Sequence, residues 1–77
     1  MNTVTYQEYK DAFYAFAGKL SKQEYLNALE DADFLDKFIA HLYGKSAPAK
    51  DSDEWIEFDR INTEYCENLY TEIEGIL

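Results

Sequence analysis

With a single cysteine in 77 residues, this chain must be held together by packing or by a partner subunit. Cys66 has no second thiol to bridge to. With His41 as the only histidine, the chain also lacks the ligand set of a structural zinc site. A chain this short buries only roughly 60% of the surface its unfolded form exposes, so its core is thin. Aromatic side chains offset the shortage because each buries a large area. There are seven tyrosines, five phenylalanines and Trp55. A hydrophobic content of 47% is far above that of disordered segments. The length suits one domain, residues 1–77.

The apolar residues recur at steps of three and four, which is the helical period. Few residues break it: the chain has three glycines and one proline, Pro48. The first helix is expected over 6–20, with Tyr6, Tyr9, Phe13, Phe16, Ala17 and Leu20 on one face and Tyr14 off it. Thr5 with Glu8 reads as its capping box, and Val4 with Tyr9 as its hydrophobic staple. A second box, Ser21 with Glu24, has Leu20 and Tyr25 as its staple and starts a helix over 22–31. Tyr25, Leu26, Leu29 and Ala32 form its stripe. The stripe then changes phase. Phe34, Leu35, Phe38, Ile39 and Leu42 lie more than a quarter-turn away at ~100° per residue. The chain therefore either kinks near Asp31–Asp33 or breaks there. We read a break, with Asp33 capping a helix over 34–43 and Gly44 ending it. Residues 44–52 form a loop. The last helix covers 53–74, with Asp51 and Glu54 as a third capping box. Trp55, Phe58, Tyr65, Leu69 and Ile73 form its stripe, flanked by Ile56, Ile61, Cys66 and Tyr70, and Ile76 with Leu77 extend or fray it. The expected fold is all-α, a compact bundle of three to four helices.

Charge is the feature that bears most on function. The net charge is −9, and it is uneven. Residues 1–20 are neutral, residues 21–50 carry −1, and residues 51–77 carry −8 with Arg60 as their only base. Direct binding to nucleic acid or to an anionic membrane needs a basic patch, which this distribution does not supply. No apolar run approaches the ~20 residues of a membrane span. The first ten residues lack the basic start and apolar stretch of a signal peptide, so the chain reads as cytoplasmic.

Asp53, Glu57, Glu64 and Glu67 fall opposite the apolar stripe of the last helix, and Glu54, Glu72 and Glu74 widen the face. Like charges four residues apart cost a few tenths of a kcal/mol per pair, so stability alone would favour interspersed lysines, as in the first half of the chain. The bland reading is a solvated face that keeps an aromatic-rich protein soluble. The functional reading is a surface for a partner protein with a basic surface, above all a nucleic-acid-binding protein. Carboxylates along a helix can imitate phosphates and occupy the partner's lysines and arginines. In size, charge and helicity the chain is similar to small acidic antagonists such as anti-CRISPR proteins, anti-restriction proteins and nuclease immunity proteins. No motif assigns it to any of them, as would suit a fast-evolving phage or mobile-element protein. The candidate contacts are Asp53, Glu54, Glu57, Glu64, Glu67, Tyr70 and Glu74. Tyr14, Tyr43 and Tyr70 look peripheral, and Tyr70, among the acids, is the best anchor.

The alternative is a structural or adaptor module. It would oligomerise or dock through the rotated stripe of Phe34, Leu35, Phe38, Ile39 and Leu42. Catalysis has little support: Cys66 reads as a buried hydrophobe, His41 as a helix-end residue, and no glycine-rich phosphate loop is present. Asp51–Asp59 resembles an EF-hand loop only in its acids, because Ile56 stands where the sharp turn needs glycine. No metal and no cofactor is expected.

Overall fold

A computed structural model describes residues 3–75. It contains four α-helices and, among those residues, no strand. α1 spans Tyr6–Ala17, α2 Lys22–Glu30, α3 Ala32–Tyr43 and α4 Asp53–Glu74, with a 3-10 turn at Gly44–Ser46. The expected all-α bundle is the observed one, with four helices. The extension by Ile76 and Leu77 lies outside the described residues.

Both of the first two capping boxes form. The Thr5 hydroxyl accepts the Glu8 N–H at 3.1 Å, and the Glu8 carboxylate accepts the Thr5 N–H at 2.9 Å. Ser21 and Glu24 repeat the arrangement at 3.2 and 3.1 Å. These hydrogen bonds hold both glutamates below their ordinary pKa.

Four local expectations need correction. α1 stops at Ala17, not at residue 20, because Gly18 takes φ +79°, a left-handed conformation open to glycine. The Tyr25 hydroxyl closes this corner by donating to the Gly18 carbonyl at 2.8 Å and accepting the Leu20 N–H at 3.2 Å. The break between α2 and α3 is real, but Asp31 is the cap, not Asp33, so α3 begins at Ala32 and not at residue 34. The Asp31 carboxylate accepts the N–H groups of Asp33 and Phe34 at 3.0 and 3.3 Å. α2 accordingly ends at Glu30, one residue short of the expected 31. The third capping box is absent. Ser52 is the cap, so the third helical residue is Trp55, which cannot reciprocate, and α4 starts with no side-chain cap bond.

One core holds the helices together. Phe13 has no exposed surface, and its ring lies 5.8 Å from Phe38 and 5.9 Å from both Phe34 and Tyr25. Tyr9 meets Phe38 at 5.1 Å and Tyr65 at 5.5 Å, both edge-on, the favoured aromatic geometry. Leu26 and Leu29 of α2 and Leu69 and Ile73 of α4 complete the buried cluster. α2 packs against both α3 and α4, and α1 crosses the same two helices. At 22 residues, α4 is about 33 Å long and sets the 39 Å long axis of the molecule.

The rotated α3 stripe is not left uncovered as a unit. Phe38 is fully buried, while Phe34, Leu35, Ile39 and Leu42 lie half-buried against the core. Tyr43, expected at the periphery, is also buried. Its hydroxyl donates to Asn62 Oδ1 at 2.9 Å and accepts the Val4 N–H at 3.3 Å, and Asn62 Nδ2 donates to the Phe58 carbonyl at 2.9 Å. The Tyr65 hydroxyl donates to the Val4 carbonyl at 2.8 Å. The residues before α1 are thus tied to α3 and α4. Ile56, expected beside the apolar stripe, is instead 72% exposed, because its position on the helix turns it away from Phe58 and Leu69.

Candidate partner-binding site

α4 is divided lengthwise by what its two faces do. Phe58, Asn62, Leu69 and Ile73 are buried, and Tyr65 and Cys66 flank them. On the opposite face Asp53, Glu57, Glu64 and Glu67 are all exposed. At ~100° per residue these four fall within a quarter-turn, and from Asp53 to Glu67 they run about 21 Å along the helix. Arg60 lies within the same stripe. Its Nε donates to Glu57 Oε2 at 3.1 Å, its Nη1 donates to Glu64 Oε2 at 3.2 Å, and Nη2 also reaches Glu57. The guanidinium holds Glu57 below the usual carboxylate range. All three side chains are more than half exposed, so the pairs add little stability. They do fix the directions of two carboxylates.

The other candidate residues lie off this stripe. Glu74 is exposed at its edge, near the bearing of Ile56. Glu54 is exposed but stands more than a quarter-turn round, toward α1. Tyr70 is half-buried on the other flank, in a shallow hollow with Leu29, Glu30 and Glu67. The Glu30 carboxylate beside its hydroxyl favours the neutral phenol and raises its pKa. Glu72 does not widen the face. It accepts the Lys10 ammonium at 2.6 Å and the Tyr6 hydroxyl at 2.6 Å, which clamps α4 to α1. Those two donors hold Glu72 below its ordinary pKa. Desolvation and the same carboxylate push the Tyr6 phenol well up.

Two residues missed from the sequence matter here. Asn62 is the only buried polar side chain among the described residues. It fills the one gap in the α4 stripe, four residues after Phe58, so spacing alone could have found it. The Lys10–Glu72 pair joins residues 62 positions apart, and nothing in the local pattern announces it.

Cys66 is half-buried, its thiol donates to the Leu29 carbonyl at 3.4 Å, and burial pushes its pKa up. His41 is exposed, with its ring 4.9 Å from that of Phe16. Among the described residues no group of three or more histidine, cysteine, aspartate and glutamate side chains is arranged to hold a metal, and no helix is long and apolar enough to cross a membrane. Comparison of the chain with protein-family models, with curated proteins and with solved structures gives no match in any of the three.

Proposed function

We propose that this chain is a small acidic antagonist. It binds a basic nucleic-acid-binding protein in the cytoplasm through the outer face of α4 and occupies cations that would otherwise hold phosphates. The observation that carries this reading is the exposed stripe of Asp53, Glu57, Glu64 and Glu67 opposite the buried face of the same helix. The four carboxylates stand on average roughly 7 Å apart along the helix, against one phosphate per about 3.4 Å along a single strand of duplex DNA. The stripe is sparser than a phosphate backbone, so it engages a few lysines or arginines and not a whole phosphate track. The −8 charge of residues 51–77 steers a cationic partner to this side of the molecule.

The test is capture of partners from a bacterial lysate by the wild-type chain and by the double reversal Glu57→Lys/Glu64→Lys. At about 0.1 M salt the screening length is about 10 Å and the wild type retains its partner; at about 1 M it is about 3 Å and the partner is released. The double reversal retains nothing while keeping its helical circular dichroism, because both side chains lie on the exposed face. Unchanged capture by the reversal would end this reading.

A further inference from the structure

α3 and α4 run antiparallel along the sides of a groove of about 510 Å³. Tyr43 joins them at one end, with its ring 4.6 Å from that of Phe58 and its hydroxyl bonded to Asn62. Elsewhere the two helices are not in close contact, and Tyr9 of α1, which meets Phe38 of α3 and Tyr65 of α4, also lines the groove. Leu35, Ile39 and Ala40 line the α3 wall, and Trp55, Asn62 and Cys66 line the α4 wall. Both walls repeat every three to four residues; the α4 wall, Trp55 to Cys66, runs about 16 Å or three turns, and the α3 wall, Ala32 to Ala40, about 12 Å. A trough of that length between two antiparallel helices has the dimensions of a third, three-turn helix.

The rim defines the charge of such a helix. Asp36 on α3 and Asp59 on α4 stand exposed on opposite sides of the groove. Lys50, the one cation of the rim among the described residues, lies 5.6 Å from the centre of the Trp55 ring, where the π-face engages it. Ile56 is exposed and lies between the bearings of Asp59 and the acid stripe, so the groove and the acidic face form one continuous side of α4.

We propose that the α3–α4 groove seats a three-turn amphipathic helix of the partner protein, its apolar edge on Leu35, Ile39 and Trp55 and its lysines or arginines against Asp36 and Asp59. The proposal rests on the antagonist reading only for the occupant's belonging to that same partner protein. The groove supplies the apolar burial that an exposed acid stripe lacks, and the acids supply orientation.

Trp55 is the only tryptophan and lies in the groove wall, so its fluorescence reports occupancy. The probe is a leucine–lysine amphipathic peptide of about 14 residues, compared with a leucine–glutamate peptide and an all-lysine peptide of the same length. The expected result is a saturable change in Trp55 emission, with a gain in peptide helicity, for the leucine–lysine peptide alone. Ala40→Arg, at an exposed position in the groove wall, weakens that binding about tenfold or more. Gln23→Arg, the same charge change on the exposed side of α2, does not. No saturable change, equal binding of the all-lysine peptide, or equal binding by Ala40→Arg would each overturn the proposal. The two readings fail separately. Peptide binding that survives alongside failed lysate capture removes the antagonist, and the reverse pattern removes only the groove.

Discussion

Tyr43 and Asn62 form the polar hinge of an otherwise apolar interior. Each satisfies a group the other would leave stranded, and among the described residues no buried side-chain polar atom lacks a partner. Tyr43→Phe removes the donor to Asn62 and the acceptor for the Val4 N–H, at an expected cost of about 1–3 kcal/mol in urea unfolding. Asn62→Leu leaves the Tyr43 O–H without its acceptor and costs a similar amount. The double substitution costs less than the two together, because it removes the partners at once. Strictly additive costs would mean that the pair is not a unit. Glu72 is the residue whose charge the fold uses. Its folded-state pKa lies below its unfolded value, so its stabilisation is full above an unfolded value of about 4.3 and fades as pH falls through the folded one. The melting-temperature gap between wild type and Glu72→Gln is therefore wide at pH 7 and narrows as the solution is acidified below the ordinary glutamate range. A gap that does not change with pH would show that Lys10 and Tyr6 gain nothing from the charge.

At the scale of elements, the caps decide where helices begin. Asp31 caps α3 with two backbone bonds and separates it from α2, so Asp31→Ala costs about 1–2 kcal/mol. Asp51→Ala, one residue before a cap that makes no side-chain bond, changes stability by less than about 0.5 kcal/mol. Equal effects of the two, measured by thermal unfolding, would contradict this assignment. The same contrast marks how far the sequence could be read. Thr5–Glu8 and Ser21–Glu24 were legible because the reciprocal residues and the apolar run after them agree. Asp51–Glu54 has the same letters, but the turn ahead of α4 runs one residue further, held by Ser52, whose N–H and hydroxyl donate to the Ala49 carbonyl at 3.0 and 2.6 Å. Gly18 could be seen as a glycine but not as the end of α1, because Phe16 and Leu20 carry the helical period across it. Tyr43 lies off the α3 stripe by spacing and is buried only because α4 lies over it. The stripe of Asp53, Glu57, Glu64 and Glu67 was legible, since a solvated helix face follows local periodicity, but the role of Glu72 was not, because Lys10 and Tyr6 come to it from α1. The α3–α4 groove was not, because it depends on how two successive helices pack against the rest of the bundle, which local periodicity does not set.

At the scale of the whole molecule, charge and burial are segregated. Residues 1–50 are nearly neutral and supply most of the aromatic core, while residues 51–77 carry −8. α4 belongs to both halves of this division, with one face in the core and the other in water. Its acidic side is therefore backed by a helix anchored at Phe58, Leu69 and Ile73, which fixes the backbone positions of the carboxylates. Ile56 is the one large apolar side chain left in water among the described residues, and it borders that side. Ile56→Ser leaves unfolding within about 0.5 kcal/mol of wild type but weakens partner capture; a loss of stability instead would put Ile56 in the core. The central claim is that α4 takes the place of nucleic acid on a basic protein. The most direct measurement loads the immobilised wild-type chain with lysate at low salt and challenges the captured protein with duplex DNA or RNA. The account predicts that nucleic acid displaces the captured protein at constant salt and that the displaced protein itself binds nucleic acid. A partner that stays bound through both nucleic acid and high salt would contradict it, and would make the apolar surface, not the acidic face, the basis of binding.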